Sequence, residues 1–176
     1  VIAVERSLTI PAPVEQVWSV LAGFDDLASW AANVDHSCWL DDERFDGEMI
    51  GRARRVQAGR MALVERITVW DPPARLAYEL VGLPPVVRSA VNEWRLDPDR
   101  STRSRTLVTL TSHVDCGPRP PQQLVARIVG RRLAGASDTM LAGLAAELAE
   151  PSADPSTVTF DPAPRNGSDD TKGTSS

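Results

Sequence analysis

Between residues 35 and 115 the chain is cut into short runs by closely spaced turn signals, and this spacing constrains the fold more than any other feature. The runs lie near 35 to 41, 50 to 57, 60 to 70, 74 to 82, 86 to 96 and 104 to 115. Asp41-Asp42, Ala58-Gly59, Asp71-Pro72-Pro73, Leu83-Pro84-Pro85 and Asp97-Pro98-Asp99 separate them. Parallel neighbours need a crossover of about a dozen residues or more, and none of these intervals supplies one. An antiparallel meander is therefore predicted. Alternation places Met61, Leu63, Ile67 and Val69 on one face, with Leu76, Tyr78 and Leu80 and then Ala90, Trp94 and Leu96. Arg66, Thr68, Arg75, Glu79, Glu93 and Arg95 fall on the other face and should meet water.

Such a sheet needs its apolar face covered, and the flanking sequence supplies the cover. Ile2 to Ile10 reads as a strand that stops at Pro11, which suits an edge or terminal position because proline cannot donate to a ladder. Pro13 and Glu15 suit a first helical turn, and Val14, Val17, Trp18 and Leu21 then share one helical face. Gly23 ends that helix; Asp25 or Asp26 is expected to cap a second one carrying Leu27, Trp30 and Ala31. Residues 121 to 149 read as one long helix with Leu124, Ile128, Met140, Leu141, Leu144 and Leu148 as its apolar stripe. Its Gly130, Gly135 and Gly143 mark close packing, a bend or a tolerated cost. The fold class expected is α+β: a curved antiparallel sheet of about seven strands around a long C-terminal helix, with two short helices after the first strand.

The expected organisation is one domain over residues 1–150 and a flexible tail over 151–176, rich in Pro, Ser and Asp, where only Val158 and Phe160 could anchor. With 42% hydrophobic and 24% charged residues, the profile is that of a globular chain. Its formal net charge of -5 leaves no basic surplus for a phosphate backbone, so nucleic acid is not an expected partner. Cys38 and Cys116 lack metal-type spacing with His36 and His113, and two free thiols with no metal site are expected. No run approaches the roughly 20 apolar residues of a membrane span, and no charged leader precedes an apolar segment. A cytoplasmic location is the corresponding expectation.

With its elements in this order, the chain resembles the polyketide cyclase/dehydrase and lipid transport superfamily, also called START, Bet v 1-like or SRPBCC, over about residues 2–149. The resemblance is carried by "IPAPVEQVWSVLAGFDDLASW" at 10–30, "IGRARRV" at 50–56 and "GRMALVERITVWDPPARLAYELVG" at 59–82. Within them Pro11, Pro13, Val17, Trp18, Leu27, Trp30 and Gly51 match recurrent positions. The resemblance implies a helix-grip fold with a cavity between sheet and C-terminal helix and no metal or cofactor. The small Ala134, Ser137 and Ala145 on the long helix permit either such a cavity or close contact with the sheet.

Polar residues on the inner face are then the candidates for ligand contact. Glu65, between Leu63 and Ile67, would face inward as a salt-bridge partner, a ligand-orienting group or an acid/base. Asn92 offers both a donor and an acceptor, and Tyr78 a phenol. Arg88 shares the parity of Asn92, and Arg55 approaches from a neighbouring strand; either could neutralise Glu65 or a ligand carboxylate. Ser137, Trp94 and Met140 complete the candidate set. No catalytic set is assigned, and no serine or cysteine sits in a nucleophile context. Three functions follow from the resemblance: binding or carriage of a hydrophobic small molecule such as a lipid, isoprenoid or polyketide-like compound; an aromatase/cyclase-like enzyme using cavity acid/base residues; or a protein-interaction module of the ribosome-associated type.

Overall fold

The computed structural model describes residues 1–40, 47–117 and 120–149; the Asp41-Asp42 turn, Pro118, the Leu124 side chain, the boundary at residue 150 and the 151–176 tail lie outside the described residues. Strand β1 (Ile2–Ile10) leads into helix α1 (Val14–Ala22), a 3-10 turn (Phe24–Asp26) and helix α2 (Leu27–Trp30). Strands β2 (His36–Trp39), β3 (Ala53–Ala58), β4 (Met61–Asp71), β5 (Arg75–Val81), β6 (Ser89–Pro98) and β7 (Thr106–Asp115) follow, and helix α3 (Pro120–Ala149) closes the order. All seven strands form one antiparallel sheet in the order β1-β7-β6-β5-β4-β3-β2. This is the expected helix-grip architecture. β1 occupies an edge, as Pro11 requires, and pairs with β7 from Ile2↔Val114 to Ile10↔Thr106.

The helices attach through contacts that the sequence only partly announces. Val14, Val17 and Leu21 are the buried face of α1, while Trp18 is half-buried, set edge-on against Trp70 at 5.1 Å between ring centroids. Neither Asp25 nor Asp26 caps α2 through its side chain. Ser37 of β2 does so, its hydroxyl accepting from the Ala28 N–H at 3.0 Å while donating to the Asp25 carbonyl. A strand residue thus satisfies an orphan helical donor. On α3, Met140, Leu141 and Leu144 are buried, but Ile128 is 52% exposed. Val129 and Leu133 pack inward in its place, since steps of three or four back from Leu133 reach Gly130 and Val129, not residue 128. Gly143 is where α3 meets α2: a Cβ there would lie 2.1 Å from the Trp30 carbonyl oxygen. Gly135 has open space around its Cβ position, so its cost is simply tolerated.

One strand departs from simple alternation. The β4–β5 register shifts between Ile67 and Val69, a bulge that sets Trp70 opposite Leu76 and Val69 opposite Ala77. Trp70 therefore packs on the core, the position alternation had given to Val69. Met61, at the hairpin, is 60% exposed. The outer face carries charge as expected: Arg75 and Arg95 flank Glu93 at 3.0 and 3.2 Å. The Arg75 hydrogen bond holds the Glu93 carboxyl below its ordinary range.

The core divides unequally. A large cluster joins Ile10, α1, the 3-10 turn and α2 to Ile67, Leu76, Tyr78, Trp94, Leu110 and the C-terminal half of α3. Among the described residues, a smaller one has Ala90, Val114 and Cys116 buried, with Ile2, Leu80, Leu83, Val87, Val129 and Leu133 half-covered around them. Leu80 touches both.

Candidate functional site

Among the described residues, the inner face of the sheet carries two groups of polar side chains that meet across strands, besides the buried Thr106, whose hydroxyl donates to the Ala12 carbonyl at 2.8 Å. The first is an ion pair. The turn at Gly59 and Arg60 pairs Ala58 with Met61 and so sets Arg54 opposite Glu65, both facing inward at 3% and 6% exposure. Arg54 Nε and Nη2 donate to Glu65 Oε2 at 2.7 and 2.5 Å, and Nη1 donates to the Phe24 carbonyl. Its guanidinium carbon also lies 3.8 Å from the Phe24 ring centroid. This arginine fastens the 3-10 turn to the sheet. Glu65 Oε2 is thus engaged by a fork of two donors from one guanidinium.

The second group is neutral and lies where the two apolar clusters meet. Tyr78, Asn92 and Ser112 are register partners on three adjacent strands. Ser112 Oγ donates to Asn92 Oδ1 at 2.7 Å, and Asn92 Nδ2 donates to the Tyr78 hydroxyl at 3.4 Å. The Trp94 indole N–H donates to the same hydroxyl at 3.4 Å. Burial first, and then the Glu65 carboxylate, push the Tyr78 phenol up to about 12. Tyr78 therefore stays a neutral phenol at any physiological pH. On α3, Ser137 and Met140 are both buried, and Met140 lines a cavity together with Tyr78.

On the α2 side of Tyr78 the space between sheet and helices narrows to a cavity of about 10 Å³, lined by Phe24, Trp30, Tyr78, Trp94 and Met140 among others. That is room for about one water-sized group. Trp30 stands edge-on to Trp94, 6.2 Å between centroids, and its indole N–H is buried without a hydrogen-bond partner among the described residues.

Of the candidates read from sequence, Tyr78, Asn92 and Trp94 are brought together, and Ser137 and Met140 are both buried on α3. Glu65 is inward but engaged by Arg54. Arg55 lies on the outer face and is exposed, because Arg54 takes the inward position of β3. Arg88 is exposed before β6, its backbone N–H donating to the Asp115 carbonyl at 2.7 Å. Sequence reasoning missed Arg54, Ser112 and the Trp30 indole. Counting outward from the Gly59-Arg60 turn would have found the first; the inward parity of Val108 and Leu110 would have found the second. Among the described residues no group of three or more His, Cys, Asp or Glu side chains is set to hold a metal, and no helix is long and apolar enough to cross a membrane. Cys38 and Cys116 are free thiols.

A family model described as "Polyketide cyclase / dehydrase and lipid transport" matches residues 1–149. No curated protein matches the chain. Among solved structures, the chain is similar to the Zhui aromatase/cyclase from Streptomyces sp. R1128, with 20% identity over 83% of this chain and 92% of that one and a TM-score of 0.62. A protein of Thermobifida fusca is 25% identical over 81% of this chain and 90% of its own, also with a TM-score of 0.62. The di-domain ARO/CYC BexL from the BE-7585A biosynthetic pathway gives a TM-score of 0.65 at 17% identity, covering 84% of this chain and 46% of BexL.

Proposed function

Because the chain belongs to the polyketide cyclase/dehydrase and lipid transport family, within the SRPBCC superfamily of helix-grip folds, we propose that it binds one hydrophobic small molecule, a lipid, isoprenoid or polyketide-like compound, between the sheet and α3. The observation that carries this reading is the neutral polar row Tyr78–Asn92–Ser112 on the inner face, set between the apolar cluster around Trp94 and Leu110 and the one around Ala90 and Val114. Small-molecule sites combine apolar walls with a few placed polar groups in this way. The ligand body lies on Ala90, Val114 and the half-covered Leu80, Leu83, Val87 and Leu133, and its polar end meets Asn92 and Tyr78. Acid/base catalysis on a poly-keto chain is supported less well. Glu65 is committed to Arg54, and a phenol near 12 is a poor base at neutral pH.

The test is binding of an environment-sensitive apolar dye, anilinonaphthalene sulfonate, at about one site, in the native protein and in two variants. Ala90→Phe fills the loose end and should abolish binding while leaving the unfolding midpoint in place. Asn92→Leu should weaken polar-headed competitors more than hydrocarbons. If Ala90→Phe instead costs about 1–3 kcal/mol, the overpacking range, the region is a filled core and the reading fails.

A further inference from the structure

The small cavity beside α2 is lined by two hydrogen-bond donors that have no acceptor among the described residues. The Trp30 indole N–H is one. The Tyr78 hydroxyl is the other: it accepts from Asn92 and from Trp94, and its own proton has no acceptor among the described residues. Both residues line the same cavity of about 10 Å³. Arg54, also in the lining, is a donor group as well. The backbone carbonyls of this corner are already used, that of Gly23 by Asp26, that of Phe24 by Arg54 and that of Leu27 by Ala31. The lining side chains thus offer protons and, apart from the Met140 thioether, almost no lone pairs.

A buried donor without an acceptor is costly, and the fold holds these two firmly in place. The Trp30 carbonyl abuts Gly143 of α3, and its ring is wedged edge-on against Trp94. Tyr78 is 1% exposed and opposes Asn92 in register. We propose that this corner is a receptor for a single acceptor oxygen, the carbonyl oxygen of the bound hydrophobic molecule, held by the Trp30 N–H and the Tyr78 O–H. The inference rests on the hydrophobic-ligand reading above and narrows its chemistry to compounds with a ketone, ester or similar carbonyl near one end. A carbonyl oxygen has two lone pairs and no proton, which matches two donor residues lining one small cavity. A water molecule fits the same volume but brings two protons that need acceptors of their own.

The experiment follows the indole N–H resonances of the nitrogen-15-labelled protein while decanone or decane displaces anilinonaphthalene sulfonate, with Trp30→Phe assigning the Trp30 signal. Decanone should shift that resonance and decane should not. Trp30→Phe and, separately, Tyr78→Phe should each weaken decanone by about 3- to 10-fold, the range for one neutral hydrogen bond, and leave decane unchanged. If both compounds displace the dye while the Trp30 resonance ignores decanone, the oxygen receptor is refuted and hydrophobic binding stands. If neither compound displaces the dye, the hydrophobic-ligand reading fails. The oxygen receptor, which rests on that reading, then falls with it.

Discussion

Tyr78 is the chain's single tyrosine, so tyrosinate absorbance during an alkaline titration reports on this buried residue alone. Its phenol is raised from the ordinary 10 to about 12, first by burial and then by Glu65. Below pH 10 the group is protonated in both the folded and unfolded chain and its favourable effect on folding is fully present. Above 10 the unfolded chain releases the proton and the folded one keeps it, so stability falls as pH rises toward 12. The slope is about 1.4 kcal/mol per pH unit, or roughly 3 kcal/mol over the window. Few other groups compete in this range, because the sequence holds a single lysine, Lys172. Two measurements are needed: the tyrosinate midpoint of the native protein, and denaturant unfolding at several pH values above 9 for the native protein and for Tyr78→Phe. The variant should lose the alkaline slope. A native midpoint near 10 with the fold intact would mean that the phenol reaches water, and the interior described here would be wrong.

Three other outcomes are expected. Arg54→Met strands the Glu65 carboxylate and should cost about 3–5 kcal/mol in denaturant unfolding, whereas the double change Arg54→Met with Glu65→Met should recover most of it; equal losses in the two would show that the pair does not act as a unit. Gly143→Ala gains up to about 1 kcal/mol of helix propensity yet drives a methyl into the Trp30 carbonyl, so a net loss of stability and a changed Trp30 indole resonance are expected, and a stabilised protein would refute the close approach. Truncation after Glu150 removes a segment with little apolar area beyond Val158 and Phe160 and should leave Tm within a few degrees; a larger fall would mean that one of these residues docks on the domain.

What could be read from the sequence was whatever depends on local chemistry. Turn residues at short intervals dictated the meander, and Pro11 placed β1 at an edge, because proline and turn propensities act over a few residues. Face assignments held where strands run regularly and failed at Val69, where a one-residue bulge exchanged it for Trp70; no residue type at that position announces the shift. Ser37 capping α2 and Arg54 meeting the Phe24 carbonyl join residues brought near only by the finished fold, so local rules pointed to Asp25, Asp26 and Arg55 instead. In the candidate site, the residue types of Tyr78 and Asn92 were visible, but the unmatched protons that suggest a use for them require three-dimensional bookkeeping of donors and acceptors.

The edge position of β1 has a bearing on how the chain is made. Among the described strands β1 is made before the other six, yet its only neighbour in the sheet is β7, made after them. From β2 onward each new strand can pair with the one just before it, so the meander grows hairpin by hairpin. β1 must wait, carrying unpaired backbone groups and the apolar Ile2, Val4, Leu8 and Ile10, until about a hundred residues have followed it. During that interval it is an open template for any other extended segment. Arg6, which in the finished protein reaches Asp138 of α3 at 3.1 Å, and Glu5 beside it put opposite charges in the middle of that template, where they discourage pairing with the wrong chain.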